Sequence, residues 1–163
     1  MTDQTTDQTA EQANQQAAMP VFNIEKIYVK DLSLEVPNAP AIFLEREAPQ
    51  MDMQLNTQSA PVDSDNGIYQ CELSLTITAK VKDKTAFLVE LKQAGIFRIQ
   101  NLPKEAMEPA LGVGCPNILF PYAREAVSDA VLKAGFPPLV LQPVNFELMY
   151  MQQQQAIQGG AQH

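Results

Sequence analysis

A chain of 163 residues fits one domain. With 45% hydrophobic and 18% charged residues it has enough apolar material for a core, which excludes a disordered, fibrous or collagen-like polymer. Its 11 basic and 19 acidic residues leave a net charge of −8 and a pI near 4.5, the wrong sign to attract a nucleic-acid duplex or an anionic lipid surface.

Residues 1–20 are Thr, Gln, Asp, Ala and Asn with almost nothing to bury, and they are expected to form a disordered arm. They lack the basic and apolar regions of a signal peptide, and no run in the chain approaches the ~18 apolar residues of a membrane span. Three of the acidic residues lie in this arm, so the rest of the chain still carries −5. In the segment 21–36, Phe22 and Ile24 share one parity, Ile27 and Val29 the other, and Leu32, Leu34 and Val36 return to the first. Bulges near Glu25–Lys26 and near Lys30–Asp31 would keep all of them on one face. Two short strands with a kink are the alternative, and in both arrangements Asp31, Ser33 and Glu35 face away from Leu32 and Leu34.

Met51, Met53 and Leu55 alternate with Asp52, Gln54 and Asn56 in a further strand. From Tyr69 to Val81 the odd positions, Ala79 among them, are apolar and the even ones polar. Lys82–Asp83 then turns the chain, and Phe87, Val89 and Leu91 continue the apolar face of an antiparallel hairpin. Leu88, Glu90 and Lys92 point the other way. After Gly95 the period changes, so the strand is expected to end there. Pro103 can open a short helix through about Leu111, with Glu105 in its first turn. Asn117 is the expected N-cap of a longer helix to about Ala134, stopped by Gly135. Its stripe of Ala123, Ala126, Val127, Ala130, Val131 and Ala134 could pack on the sheet or on a second subunit. Phe136-Pro137-Pro138 breaks the chain, and Asn145 caps a last helix that includes Phe146 and Met149. Residues 152–163 read as a second disordered, Gln-rich tail. The folded domain is therefore 21–151, an α+β fold: a four-stranded antiparallel sheet with a long helix packed on one face and a shorter C-terminal helix.

Little conventional enzyme chemistry is available. The single histidine, His163, is the last residue, so a Ser-His-Asp triad, a Cys–His pair or a multi-histidine metal site has no histidine to build on. Cys71 and Cys115 have no zinc-type spacing, and two cysteines in a chain of this length suit a reducing compartment. Cys71 belongs to the apolar face of its strand, and Cys115 reads as a small buried residue, not a nucleophile. Gly112-Val113-Gly114 lacks the third glycine of a dinucleotide-binding loop and reads as a turn before the long helix. Glu105 and Glu108 suit a solvated helix face. No catalytic residues, metal or cofactor are expected. More informative is the wet side of the sheet, where Asp31, Glu35, Leu88 and Glu90 can share one face. Acidic residues around an exposed leucine suit a basic protein partner, although an ordinary solvated sheet has the same pattern. Met51, Met53, Leu55 and the Phe146–Met151 end supply adaptable apolar surface, which serves either a core or a promiscuous binding site.

Four blocks carry a resemblance. Ile27-Tyr28-Val29-Lys30-Asp31-Leu32-Ser33-Leu34-Glu35-Val36-Pro37-Asn38-Ala39-Pro40 resembles the opening strand and loop of the SecB family of bacterial protein-export chaperones. Thr85-Ala86-Phe87-Leu88-Val89-Glu90, followed by Gly95-Ile96-Phe97, resembles its fourth strand and the exit from it. Cys115-Pro116-Asn117-Ile118-Leu119-Phe120-Pro121-Tyr122-Ala123-Arg124-Glu125 resembles the start of its long helix, and Pro143-Val144-Asn145-Phe146 the entry to its last one. The similarity covers about residues 21–151.

This resemblance implies a homotetramer, a dimer of dimers, in the bacterial cytoplasm. Such a protein binds unfolded precursor proteins, keeps them export-competent and delivers them to the translocation ATPase SecA, with no catalysis of its own and no membrane insertion. By position, Asp31, Glu35, Leu88 and Glu90 match the family's SecA-contacting residues. Phe43, Met51, Met53, Leu55 and Met149 match parts of its client groove. Phe87, Val89 and Leu91 match the strand face whose packing supports assembly. Two features depart from the family: Glu47 stands where many members carry a loop tryptophan, and the C-terminal tail has no acidic residue. The competing readings are a SecB-like chaperone of a toxin–antitoxin system and an acyl-thioester hydrolase whose sheet wraps a helix.

Overall fold

In the computed structural model, which describes residues 18–160, the alternating segments form four strands. These are β1 (Val21–Glu35), β2 (Gln50–Asp63), β3 (Ile68–Val81) and β4 (Lys84–Gln100). All neighbours are antiparallel, in the order β1-β4-β3-β2, so β1 and β2 are the sheet's edges. The register of β1 shifts between Ile24 and Lys26 and again between Val29 and Asp31. Each shift inserts one residue and returns the apolar side chains to the same face, so β1 is one twice-bulged strand. Lys82 and Asp83, with φ of 49° and 65°, make the two-residue turn whose twist suits a hairpin.

β4 does not end near Gly95. It pairs with both neighbours beyond it, Ile68 facing Arg98 and Val21 facing Gln100. Gln93 and Gly95 occupy inward positions and interrupt the apolar pattern, which resumes at the buried Phe97 and Ile99. A Cβ on Gly95 would lie 3.0 Å from Leu119 Cδ2 and 2.7 Å from the Phe97 ring, so the glycine marks where a helix approaches the strand.

That helix is longer than expected. α1 (Lys104–Pro109), a π-helical turn (Ala110–Gly114) and α2 (Cys115–Lys133) follow one another without a break. Gly112-Val113-Gly114 is therefore helical, and Asn117 is an exposed residue inside the helix, not its cap. A Cβ on Gly112 would meet the Tyr150 ring at 2.7 Å, so the glycine admits a neighbouring side chain and makes no turn. Leu119, Ala123, Val127 and Val131 of α2 are buried in one cluster with Leu73, Leu75, Ile77, Phe87, Val89 and Leu91 of the sheet. The small-residue stripe thus packs on the protomer's own sheet.

Beyond Gly135 the chain runs back along α2. Arg124 holds it by donating from Nε to the Leu141 carbonyl at 2.9 Å, with its guanidinium 5.0 Å from the Phe120 ring centroid. Asn145 caps α3 (Phe146–Gly160), its Oδ1 accepting from the Leu148 amide at 2.9 Å. Residues 152–160, expected in a disordered tail, continue this helix. Glutamine is a good helix former, and extending an existing helix is far easier than starting one. The rest of that tail, 161–163, and most of the expected N-terminal arm, 1–17, lie outside the described residues.

Candidate functional site

α2 covers the middle of the inner sheet face and leaves its edges open. On β2 the inward row is Met51, Met53 and Leu55, opposite Ala79, Ile77 and Leu75 of β3. Whereas the β3 residues are buried, Met51 is 45% exposed, Met53 42%, and Leu55 is half-buried. At one end the row enters a cavity of about 480 Å³ whose lining includes Phe43, Met51, Phe87, Phe136 and Leu139, with Glu45 and Glu47 beside them. The Phe136 ring lies 5.2 Å from Phe43 and 5.0 Å from Phe87, centroid to centroid, in tilted contacts. At the other end, Thr57 and Ser59 join Tyr150 and Ile157 of α3 around a shallower groove of about 580 Å³. Met51 to Ser59 is a stretch of ~26 Å at the strand rise of ~3.3 Å per residue, the length of a comparable extended peptide.

The structure brings Phe43 and Met51 into one cavity and sets Met53 and Leu55 along the same face. Met149, on α3, packs half-buried against the core and lines neither cavity. Phe136 and Leu139 were not anticipated. Their one sequence signal is an aromatic residue followed by two prolines just after a helix stop, which fixes a rigid strap beside the helix end. Glu47 is also more than a missing tryptophan. Lys82 Nζ sits 3.1 Å from Glu45 Oε2 and 3.4 Å from Glu47 Oε1. The hydrogen bond to Glu45, with the charges of both carboxylates, holds the Lys82 ammonium above its ordinary pKa.

The outer face is polar. Strand register sets Glu35, Leu88, Thr78 and Asp52 in one row, Ser33, Glu90, Thr76 and Gln54 in the next, and Asp31, Lys92, Ser74 and Asn56 in a third. Asp31, Glu35 and Glu90 are exposed around the half-buried Leu88, and among the described residues none of the three acids joins an ion pair. Farther along, Lys30 reaches across β4 to Glu72, Nζ to Oε2 at 2.9 Å. Glu72 is only 3% exposed and also accepts from Gln58 and Ser74. The hydrogen bond from Lys30 outweighs the effect of burial and holds the Glu72 carboxyl below its ordinary pKa.

Phe87, Val89 and Leu91 are fully buried within the protomer, in the core cluster they share with α2. The open part of the inner face near β4 belongs to β1, where Ile24, Val29, Leu32 and Leu34 are 36–50% exposed along an edge that is unpaired among the described residues. Cys71 and Cys115 are both buried, and hydrogen bonding to Cys71 together with burial pushes the Cys115 thiol up, away from a reactive thiolate.

The family model described as preprotein translocase subunit SecB matches residues 15–157. The chain belongs to the SecB family. Protein-export protein SecB of Dechloromonas aromatica is 65% identical over 147 residues, covering 90% of this chain and 95% of that one. Its counterpart in Thiobacillus denitrificans is 63% identical over 142 residues, covering 87% and 92%. A SecB-like chaperone of Mycobacterium tuberculosis, solved in complex with a peptide from an antitoxin, has the same fold. Its TM-score is 0.61 at 18% identity, over 76% of this chain and 91% of that one. SecB proteins are chaperones rather than enzymes, and this chain is a chaperone of protein export. No helix among the described residues is long and apolar enough to cross a membrane.

Proposed function

We propose that the chain binds unfolded precursor proteins along the open row of β2 and hands them to SecA, which docks on the acidic outer face. The observation that carries the reading is the uncovered Met51–Leu55 row running into the Phe43–Phe136 cavity. An unfolded client exposes apolar stretches of many sequences, so its receptor must bind by area, at ~25 cal/mol per Å² of apolar surface buried. Unbranched methionines adapt to such variety. Docking of SecA is assigned to Asp31, Glu35, Leu88 and Glu90, which suit a basic surface with an apolar centre. Client contact is assigned to Phe43, Met51, Met53 and Leu55, with Met149 supporting α3 beside them.

The β1 edge, open among the described residues, and its apolar row support self-association, because such an edge calls for a second copy to cover it; two such dimers would make the homotetramer. Phe87, Val89 and Leu91 then serve assembly through the core that shapes this face. Several grooves on one assembly would let a client wrap and bind with avidity. Two buried free thiols suit the bacterial cytoplasm. Diluting a denatured precursor from urea into buffer with the protein, without nucleotide, tests the reading by light scattering. Suppressed aggregation at near-stoichiometric protein is expected, and aggregation at the unprotected rate would refute it.

A further inference from the structure

The cavity wall that carries Phe43 is a loop, and its two halves are held differently. In the first half, Ile42 sinks into the core and Asn38 Nδ2 donates to the Thr85 carbonyl at 2.9 Å. The 3₁₀ turn Ala41–Leu44 places Phe43 against Phe136. The second half brings Glu45, Glu47 and Pro49 to the cavity, and its side-chain tie to the sheet is the Lys82 ammonium between the two carboxylates. The hairpin sets the backbone position of Lys82. It occupies the hairpin turn at φ 49°, between the paired residues Val81 and Lys84, and Val81 lines the same cavity. The hairpin tip thus holds a loop that has little buried surface beyond Ile42.

We propose that Lys82 is a positioning residue for client binding, a latch that holds the Glu45–Glu47 segment, and with it Phe43, in the shape of the client cavity. The client need not touch Lys82. Loss of the latch lets the loop sample open positions, so part of the binding free energy goes into reordering it. Each ion pair is exposed, so the effect is modest, about two- to five-fold in client affinity.

The proposal rests on reading the cavity as the client site, and its test separates the two. The probe is a short, uncharged, fluorescently labelled peptide of Phe, Leu, Ser and Gly, titrated against the full chain and variants. Lys82→Gln and the double variant Glu45→Gln/Glu47→Gln should each raise Kd about two- to five-fold. Combining all three should cost no more than either alone, because one interaction is removed twice. Lys82→Arg should restore near wild-type binding. Amide exchange at Phe43 and Glu45, whose N–H groups bond the Pro40 and Ile42 carbonyls, should quicken in Lys82→Gln. Unchanged affinity in Lys82→Gln, where Met51→Asp does weaken binding, would overturn the latch; so would losses that multiply in the triple variant. If Met51→Asp is also silent, the cavity assignment fails and the latch loses its role in client binding with it. Exchange separates the two failures: loop amides that quicken in Lys82→Gln keep Lys82 as the tie of this loop with no part in client binding, and unchanged ones overturn the tie as well.

Discussion

Replacing Met51 by aspartate should weaken client binding about thirty-fold or more, whereas the same carboxylate at Gln54 should leave it nearly unchanged. The magnitude follows from exposure. Fully burying a methionine side chain is worth ~1.5–3 kcal/mol, and Met51 keeps 45% of its surface for a client, hence about 0.7–1.4 kcal/mol. Met51→Ala should therefore cost three- to ten-fold, on the order of 1 kcal/mol. A carboxylate adds its own desolvation when the client covers it, at least the ~1–3 kcal/mol of an unpaired polar group, which brings the total to about 2 kcal/mol or more. Because the β period is two, Gln54 lies on the opposite face, against Thr76, where a charge remains in water. Fluorescence anisotropy with a labelled unfolded precursor reads both variants, after circular dichroism shows that each is folded. Equal losses at Met51 and Gln54, or none at Met51, would refute the assignment of the β2 row.

Three further outcomes follow from the geometry. Light scattering should give about four times the 18.0 kDa chain mass, reduced by Leu32→Asp on the open β1 row, and a stable wild-type monomer at micromolar concentration would contradict the assembly proposal. Glu90→Lys should weaken SecA binding by about tenfold, and more than Glu90→Ala does, because reversal adds repulsion to lost attraction; equal calorimetric affinities for wild type and Glu90→Lys would remove the docking face. Glu72→Gln should lower stability at neutral pH by about 1–2 kcal/mol through loss of a charge-assisted bond to Lys30. Since the folded-state carboxyl lies below its ordinary value, this contribution is full above that value and fades as the pH falls through the lower one, so wild type and variant should converge in strong acid. A pH-independent gap in urea titrations would refute it.

Local patterns were readable wherever they obeyed a single rule. Parity placed both bulges of β1, the Lys82–Asp83 turn, and the common face of Asp31, Glu35, Leu88 and Glu90, because a strand side chain has only two directions to take. The Asn145 cap needs only its own helix. The readings that went astray depended on partners distant in the chain. Gly95 and Gly112 looked like punctuation, yet each makes room for a side chain, Leu119 in one case and Tyr150 in the other. Phe136 joins the cavity through Phe43 and Phe87, far from it in sequence. Ala123, Val127 and Val131 suited a sheet or a subunit equally, and only packing chose the sheet. The helix past residue 152 is hard to read because a Gln-rich, low-complexity run has the composition of a disordered tail, although glutamine extends a helix well once Phe146 and Asn145 anchor its start.

Export competence is the most direct measure of the central claim. A denatured precursor is diluted into buffer with or without the protein, left standing, then offered to SecA, ATP and inverted membrane vesicles, and protease-protected precursor is counted. With the wild-type protein, translocation should persist through the delay, while Met51→Asp should lose this protection and Glu90→Lys should keep the precursor soluble but slow its transfer. Equal decay of translocation with and without the wild-type protein would contradict the account.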